Sequence, residues 1–247
     1  MRSRVKLGIK NLDKMIDGGI PEGNQVAIAG GPGTGKTLLG FEYLYHNAKE
    51  GNNGILFSLE ETSNMVIENA KAAFTDFTDI DDLIASKKLV VYGSEEGTAY
   101  VTRDPDKGTY SFGEWISNLE SVASQYHATR IVIDSISVVR LLIRDQFEYR
   151  DTTMNLVRVL KRLNATTLIT VELETAEKEK LTFQPEFFMY DGIIALYLSG
   201  EGSNRIQTLE IIKMRGTAHS FSTIPYEITS SGISVLELPH GEDINDV

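Results

Sequence analysis

Short apolar runs alternate with longer amphipathic ones along this chain. Val26-Ala27-Ile28-Ala29 is short and uniformly apolar, the pattern of a strand buried on both faces. Residues 38–44 then bring apolar side chains round at helical spacing, which predicts a helix. Residues 55–59 predict a second strand, and Thr62 or Ser63 can cap a helix running to about Phe74. Residues 89–92 predict a third strand. Trp115, Leu119 and Val122 recur at helical spacing and define a core-facing stripe. Ile131-Val132-Ile133 predicts a fourth strand, ending in Asp134-Ser135. A helix around 152–163 and a strand over 167–171 complete the alternation. Strands alternating with helices predict an α/β fold, a mostly parallel central sheet flanked by helices.

The last quarter changes character. Residues 193–198, 206–213, 222–228 and 233–238 are strand-like with no long helix between them. That predicts antiparallel strands extending the sheet at its C-terminal end. Residues 93–113 form a polar excursion too long for a routine connection. No repeat, proline-rich linker or low-complexity block divides the chain, so 1–240 is expected to be one domain. Residues 241–247 make an acidic tail that is expected to fray.

Composition narrows the classes. A chain of 247 residues, 41% hydrophobic, buries a sizeable core without difficulty. Its 24 basic and 35 acidic residues leave a net charge of −11. That argues against a broad nucleic-acid or anionic-membrane surface, though a small basic channel stays open. With no cysteine, disulfides, thiol chemistry and cysteine zinc sites are excluded. The N-terminal residues lack the apolar core of a signal peptide, and no apolar run approaches a membrane span. A cytoplasmic setting is the simplest expectation.

The candidate chemistry centres on Gly30-Gly31-Pro32-Gly33-Thr34-Gly35-Lys36-Thr37, which fits the phosphate-loop pattern G-x-x-x-x-G-K-[ST]. A strand that turns through glycines into a helix aims several backbone N–H groups at one point, and the helix N-terminus adds positive potential there. A polyphosphate suits that site. Gly31, Pro32, Gly33, Thr34, Gly35, Lys36, Thr37 and Leu38 are the expected nucleotide-binding residues. Lys36 would reach the β- and γ-phosphates, and the Thr37 hydroxyl would hold Mg²⁺. Asp134, at the end of a buried apolar strand, is the carboxylate expected near that Mg²⁺. Glu60 and Glu61 follow the next strand, at the sheet edge where open α/β sheets bind ligands. They can share the activation of a water, or one can order the other. Lys213 and Arg215 are two apart on a strand and so face one side. On spacing alone a solvated strand edge is the better reading than a phosphate clamp. No His/Asp/Glu cluster has metal-ligand spacing, so the one metal inferred is nucleotide-bound Mg²⁺.

Together these pieces resemble the RecA/RadA superfamily of phosphate-loop NTPases and, within it, the KaiC-like ATPases. The resemblance runs from about Val5 to Leu238. It is carried by Gly8-Ile9-Lys10-Asn11-Leu12-Asp13, Gly18-Gly19-Ile20-Pro21-Glu22-Gly23, the phosphate loop, Glu60-Glu61, Asp134-Ser135, Asp191-Gly192-Ile193-Ile194 and Lys213-Met214-Arg215-Gly216-Thr217-Ala218-His219. It implies a RecA-like fold and slow ATP hydrolysis. It also implies homo-oligomers, commonly hexameric rings with ATP between subunits. In such a ring Lys213 and Arg215 reach the γ-phosphate on the neighbour, and Thr217 and His219 touch the same nucleotide. The clock members carry, in their phosphorylated half, an adjacent Ser-Thr pair shortly before the late-strand Asp. Phe187-Phe188 stand there in this chain, so autophosphorylation of that kind is not expected. The expected recombinase-type DNA loop spans 172–186 and carries Glu172, Glu174, Glu177, Glu179 and Glu186 against Lys178 and Lys180, a poor phosphate-binding surface. The leading expectation is therefore an ATPase whose hydrolysis drives or times a conformational change, with an unidentified protein partner. Two alternatives stand beside it: a DNA-repair accessory that binds single strands, and a non-hydrolysing ATP sensor that docks a partner.

Overall fold

A computed structural model of the chain describes residues 3–97, 100–103, 110–178, 185–200 and 205–236. The expected acidic tail lies outside these residues, as do Glu179 and Lys180 of the acidic loop.

The N-terminal segment forms a small hairpin, β1 (Arg4–Val5) with β2 (Ile20–Pro21), around helix α1 (Lys10–Met15). Then come β3 (Gln25–Gly30), α2 (Lys36–Lys49), β4 (Gly54–Ser58), α3 (Ser63–Ala73), α4 (Ile80–Ala85) and β5 (Leu89–Tyr92). The long polar excursion contains α5 (Ser94–Gly97) and two short paired strands, β6 (Thr102–Arg103) and β7 (Tyr110–Ser111). Helix α6 (Gly113–Gln125), β8 (Arg130–Asp134), α7 (Ser137–Leu142), α8 (Gln146–Arg162) and β9 (Thr166–Glu172) follow. A 3-10 turn (Pro185–Met189) leads into β10 (Gly192–Ser199), β11 (Ile206–Met214), β12 (Ile224–Thr229) and β13 (Gly232–Val235).

Nine strands form one sheet in the order β13-β12-β11-β10-β3-β9-β8-β4-β5. From β5 across to β10 every neighbouring pair is parallel. From β10 to β13 every pair is antiparallel. The mostly parallel sheet with an antiparallel end is thus as expected. The period of two along β3 sorts its side chains. Val26 and Ile28 face a core shared with α2, α3 and α4, while Ala27 and Ala29 face a second core shared with α6, α7 and α8. Trp115, Leu119 and Val122 are buried in that second core. Thr62 caps α3, as anticipated, by accepting from the Met65 N–H at 3.3 Å.

Several elements depart from expectation. Helix α8 begins at Gln146, a turn and a half before the expected start, because Asp145 caps it by accepting from the Phe147 and Glu148 N–H groups at 2.9 Å. Helices α1, α4 and α7 have six residues each, too few turns to declare a period. The last strand stops at Val235.

In α1, Asp13 accepts from the Leu7 N–H at 2.7 Å and the Gly8 N–H at 3.1 Å, which folds the N-terminal segment over the helix. Burial pushes its carboxyl up to about 6, against the lowering pull of those two N–H groups. The folded state therefore holds this proton more tightly than the unfolded chain. Stability from the protonated form is full below the unfolded value and is lost as pH rises through about 6. Chemical denaturation should show a loss of about 2–3 kcal/mol between pH 4 and pH 6 that is absent in Asp13→Asn.

Candidate functional site

The site lies at the C-terminal ends of β3, β8 and β4. The loop after β3 and Asp134 at the end of β8 are separated by one intervening strand, β9. That places them roughly 10 Å apart at sheet spacing, a gap that side chains must close. Thr37 reaches across from the first turn of α2 and donates its hydroxyl to Asp134 Oδ2 at 2.7 Å. Thr170, on β9 between them, donates to Asp134 Oδ1. Burial raises the Asp134 carboxyl above its usual range, and the two hydroxyl donors pull it back down. The peptide between Asp134 and Ser135 is cis.

The loop itself depends on glycine at two kinds of position. Gly33 and Gly35 take φ values of 75° and 83°, the left-handed region. At Gly31 a Cβ would sit 2.6 Å from the Ala176 backbone nitrogen, so only glycine lets the next segment lie over the loop. The Thr34 hydroxyl donates to the Gly31 carbonyl at 2.9 Å, and Tyr226 from β12 donates to the Thr34 carbonyl. Helix α2 starts at Lys36 with no side-chain cap. Its first N–H groups are thus presented to the loop, which is how a helix start receives an anion. Lys36 Nζ donates to the Gly30 and Gly31 carbonyls at 2.9 and 3.0 Å. Burial lowers the Lys36 pKa, while Glu172, Asp134 and Glu60 oppose that. A cradle of glycines, an uncapped helix start, one lysine and a hydroxyl-carboxylate pair fit a nucleotide triphosphate with Mg²⁺, held through Thr37 and Asp134.

The two glutamates are not equivalent. Glu60 is exposed and accepts from the Ser135 hydroxyl at 2.6 Å, which keeps it beside Asp134. Glu61 is turned toward α3 and accepts from Asn69 Nδ2 at 3.1 Å.

Lys213, Arg215, Thr217 and His219 do not join this cluster. Met214 pairs with Gly192, which pairs with Val26 at the start of β3, whereas the phosphate loop leaves from Gly30. These cations therefore emerge at the opposite edge of the sheet, roughly 13 Å along the strands from the loop. Lys213 Nζ donates to the Tyr190 carbonyl at 2.6 Å, and Arg215 Nη2 to the Phe188 carbonyl at 3.1 Å. The Thr217 hydroxyl accepts from Arg4 at 3.0 Å, and His219 Nδ1 lies 3.0 Å from the Ser220 carbonyl.

Sequence reasoning missed Thr170 and Tyr226, and had Ser135 only as the partner of Asp134 in the motif, with no role. Thr170 and Tyr226 lie inside strands and carry no pattern that distinguishes them from other buried strand residues.

A mostly parallel sheet with this loop, this helix start and this carboxylate defines a RecA-type, phosphate-loop nucleotide-binding domain. The profile described as "ATPase: KaiC" matches residues 5–240, and the chain belongs to that family. A UPF0273 protein of Aeropyrum pernix is 34% identical over 240 residues, covering 95% of this chain and 94% of the relative. The circadian clock oscillator protein KaiC of Picosynechococcus is 30% identical over 95% of this chain, which spans 45% of that longer protein. The crystal structure of a KaiC-like protein from Pyrococcus horikoshii OT3 matches with a TM-score of 0.80 at 29% identity, over 96% of this chain and all of that one.

The hydroxyl bond from Thr170 keeps a buried carboxylate satisfied, so its loss is costly. Thr170→Val, nearly isosteric, should lower unfolding free energy by about 1–3 kcal/mol in denaturant titration.

Proposed function

We propose that this protein is a Mg²⁺-dependent ATPase that assembles head to tail, with each phosphate loop completed by cations from the next subunit. The observation that carries this reading is the placement of Lys213 and Arg215 at the sheet edge opposite Lys36. They cannot serve their own loop, and the family resemblance supplies a neighbour for them to serve.

In this reading the α2 amides and Lys36 hold the β- and γ-phosphates, with the lysine leaving its two carbonyl acceptors to do so. Thr37 and Asp134 hold Mg²⁺, which supplies charge neutralisation at the β- and γ-phosphate oxygens. Glu60 and Glu61 orient and deprotonate the attacking water. Glu60 already stands beside Asp134, whereas Glu61 has to release Asn69 first. Lys213 and Arg215 stabilise the charge that develops on the transferred phosphoryl group. Thr217 and His219 of the same subunit flank that nucleotide. The relatives that carry a clock protein's name favour hydrolysis that times or drives a conformational change rather than rapid turnover.

Phosphate release tests the assignment. Lys36→Ala should abolish ATP binding and turnover together. The double change Glu60→Gln/Glu61→Gln should keep binding and lose turnover by at least about a hundredfold, the scale of general-base catalysis. Arg215→Ala should likewise spare binding and lower turnover. Undiminished release by the double glutamine variant would sink the glutamate roles.

A second reading, an accessory ATPase that binds single-stranded DNA, is favoured by one surface. Arg144 and Arg150, with Arg140 paired to Glu186, line a cavity of about 260 Å³ beside Phe147, a residue 86% exposed. Arginine interleaved with an open aromatic ring is a stacking platform for bases. Fluorescence anisotropy with a labelled oligonucleotide should then show salt-sensitive binding that Arg144→Ala/Arg150→Ala weakens, and salt-insensitive or absent binding excludes this reading.

A further inference from the structure

We propose that Asp191 is the positioning residue for the interfacial cations: it is the counter-charge that, with the carbonyls of the preceding turn, fixes where Lys213 and Arg215 are presented to the next subunit. This rests on the interfacial reading above and deepens it.

Asp191 immediately precedes β10 and is 6% exposed. Its Oδ2 accepts from the Gln25 N–H at 3.1 Å, and Lys161 Nζ stands 3.2 Å from the same oxygen. Its Oδ1 accepts from Arg215 Nη1 at 3.4 Å. The backbone repeats the link, with the Arg215 N–H donating to the Asp191 carbonyl and the Asp191 N–H to the Gln25 carbonyl, both at 2.8 Å. Arg215 is thus tied at its main chain and at its guanidinium to one residue. Lys213 is held a step away, on the carbonyls of Tyr190 at 2.6 Å and Phe187 at 3.4 Å.

Lys213, near the end of β11, and Arg215, in the turn just past it, repel each other. Burial lowers the Lys213 pKa, and Arg215 lowers it further, with Asp191 opposing. The carbonyl acceptors are neutral, so Asp191 is the group here that offsets the repulsion with charge. It does so without consuming the cation. Arg215 has five guanidinium N–H groups; the bonds to Asp191 and Phe188 engage Nη1 and Nη2, and the side chain stays about half exposed. A guanidinium tethered to a buried carboxylate with N–H groups left over is preorganised for a phosphate. Lys161 Nζ also donates to Oδ1, at 3.3 Å, so the carboxylate serves a second cation as well.

The test uses mixed oligomers. Subunits carrying Lys36→Ala cannot hydrolyse but offer intact cations, and subunits carrying Arg215→Ala have intact loops without them. Mixing the two should restore phosphate release in part. Adding Asp191→Asn to the Lys36→Ala subunit should cut the restored rate by roughly tenfold, the scale of a misplaced charge-stabilising donor. Adding it to the Arg215→Ala subunit should leave the restored rate within about twofold, which a general loss of folding would not do. In the otherwise native protein, Asp191→Asn should lower kcat while ATP affinity holds, and Lys161→Met should leave kcat within about twofold. Where Asp191→Asn fails to assemble, Asp191→Glu takes its place in the donor subunit with the same asymmetry expected. Equal loss from either subunit, or full restoration with the change in the donor, overturns the proposal. No restoration from Lys36→Ala with Arg215→Ala, before Asp191 is touched, overturns the interfacial reading itself.

Discussion

The phosphate-binding edge hangs on one buried carboxylate held between two hydroxyls. Asp134 closes the gap between the β3 loop and β8 because Thr37 and Thr170 both donate to it. Remove that arrangement and the start of α2 loses its hydrogen bond to the end of β8, and Thr170 of β9 loses its acceptor. The rest of the edge is built around this point. Glu60 is kept near it through Ser135, and Lys36 sits within the field of Asp134, Glu60 and Glu172. A cluster of carboxylates around one half-buried lysine gives the site an excess of negative charge.

Strand β3 joins the two ends of the sheet. It carries the phosphate loop at one end, and Gln25 at the other is bonded to Asp191. The segment after β9 lies over Gly31 at Ala176, and the 3-10 turn with Tyr190 supplies the carbonyls that hold Lys213 and Arg215. The β3 route consists of backbone and buried polar contacts, the kind least able to rearrange independently of the sheet.

Much of this was readable in the sequence because the signals are local. The β3 strand, the loop and the start of α2 declare themselves within twelve residues, through apolar run, glycines and Lys36-Thr37. Asp134 was readable because a buried strand had to end in something polar at the ligand edge. The antiparallel end was readable from missing helices. What escaped was relational. The register of β10 against both β3 and β11 decides that Lys213 and Arg215 point away from Lys36, and no run of residues encodes a register. Short helices such as α7 carry too few turns to show a period, and α8 opens with Gln146-Phe147-Glu148, where an exposed aromatic interrupts the pattern. The divergence of Glu60 and Glu61 depends on Ser135 and Asn69, one on another strand's end and one on the next helix.

Strand β10 runs with β3 on one side and against β11 on the other, so the chain turns back on itself at that line in the sheet. One consequence concerns symmetry. In the head-to-tail reading proposed above, a receiving edge and a giving edge at opposite ends of one molecule would not satisfy each other in a two-fold pair. They would match only by repeating the same rotation from copy to copy. Any open chain of copies would then keep one vacant acceptor and one idle donor, whatever its length. Only closure would remove both, so the curvature of such a contact, rather than its strength, would decide between a ring and an open helix.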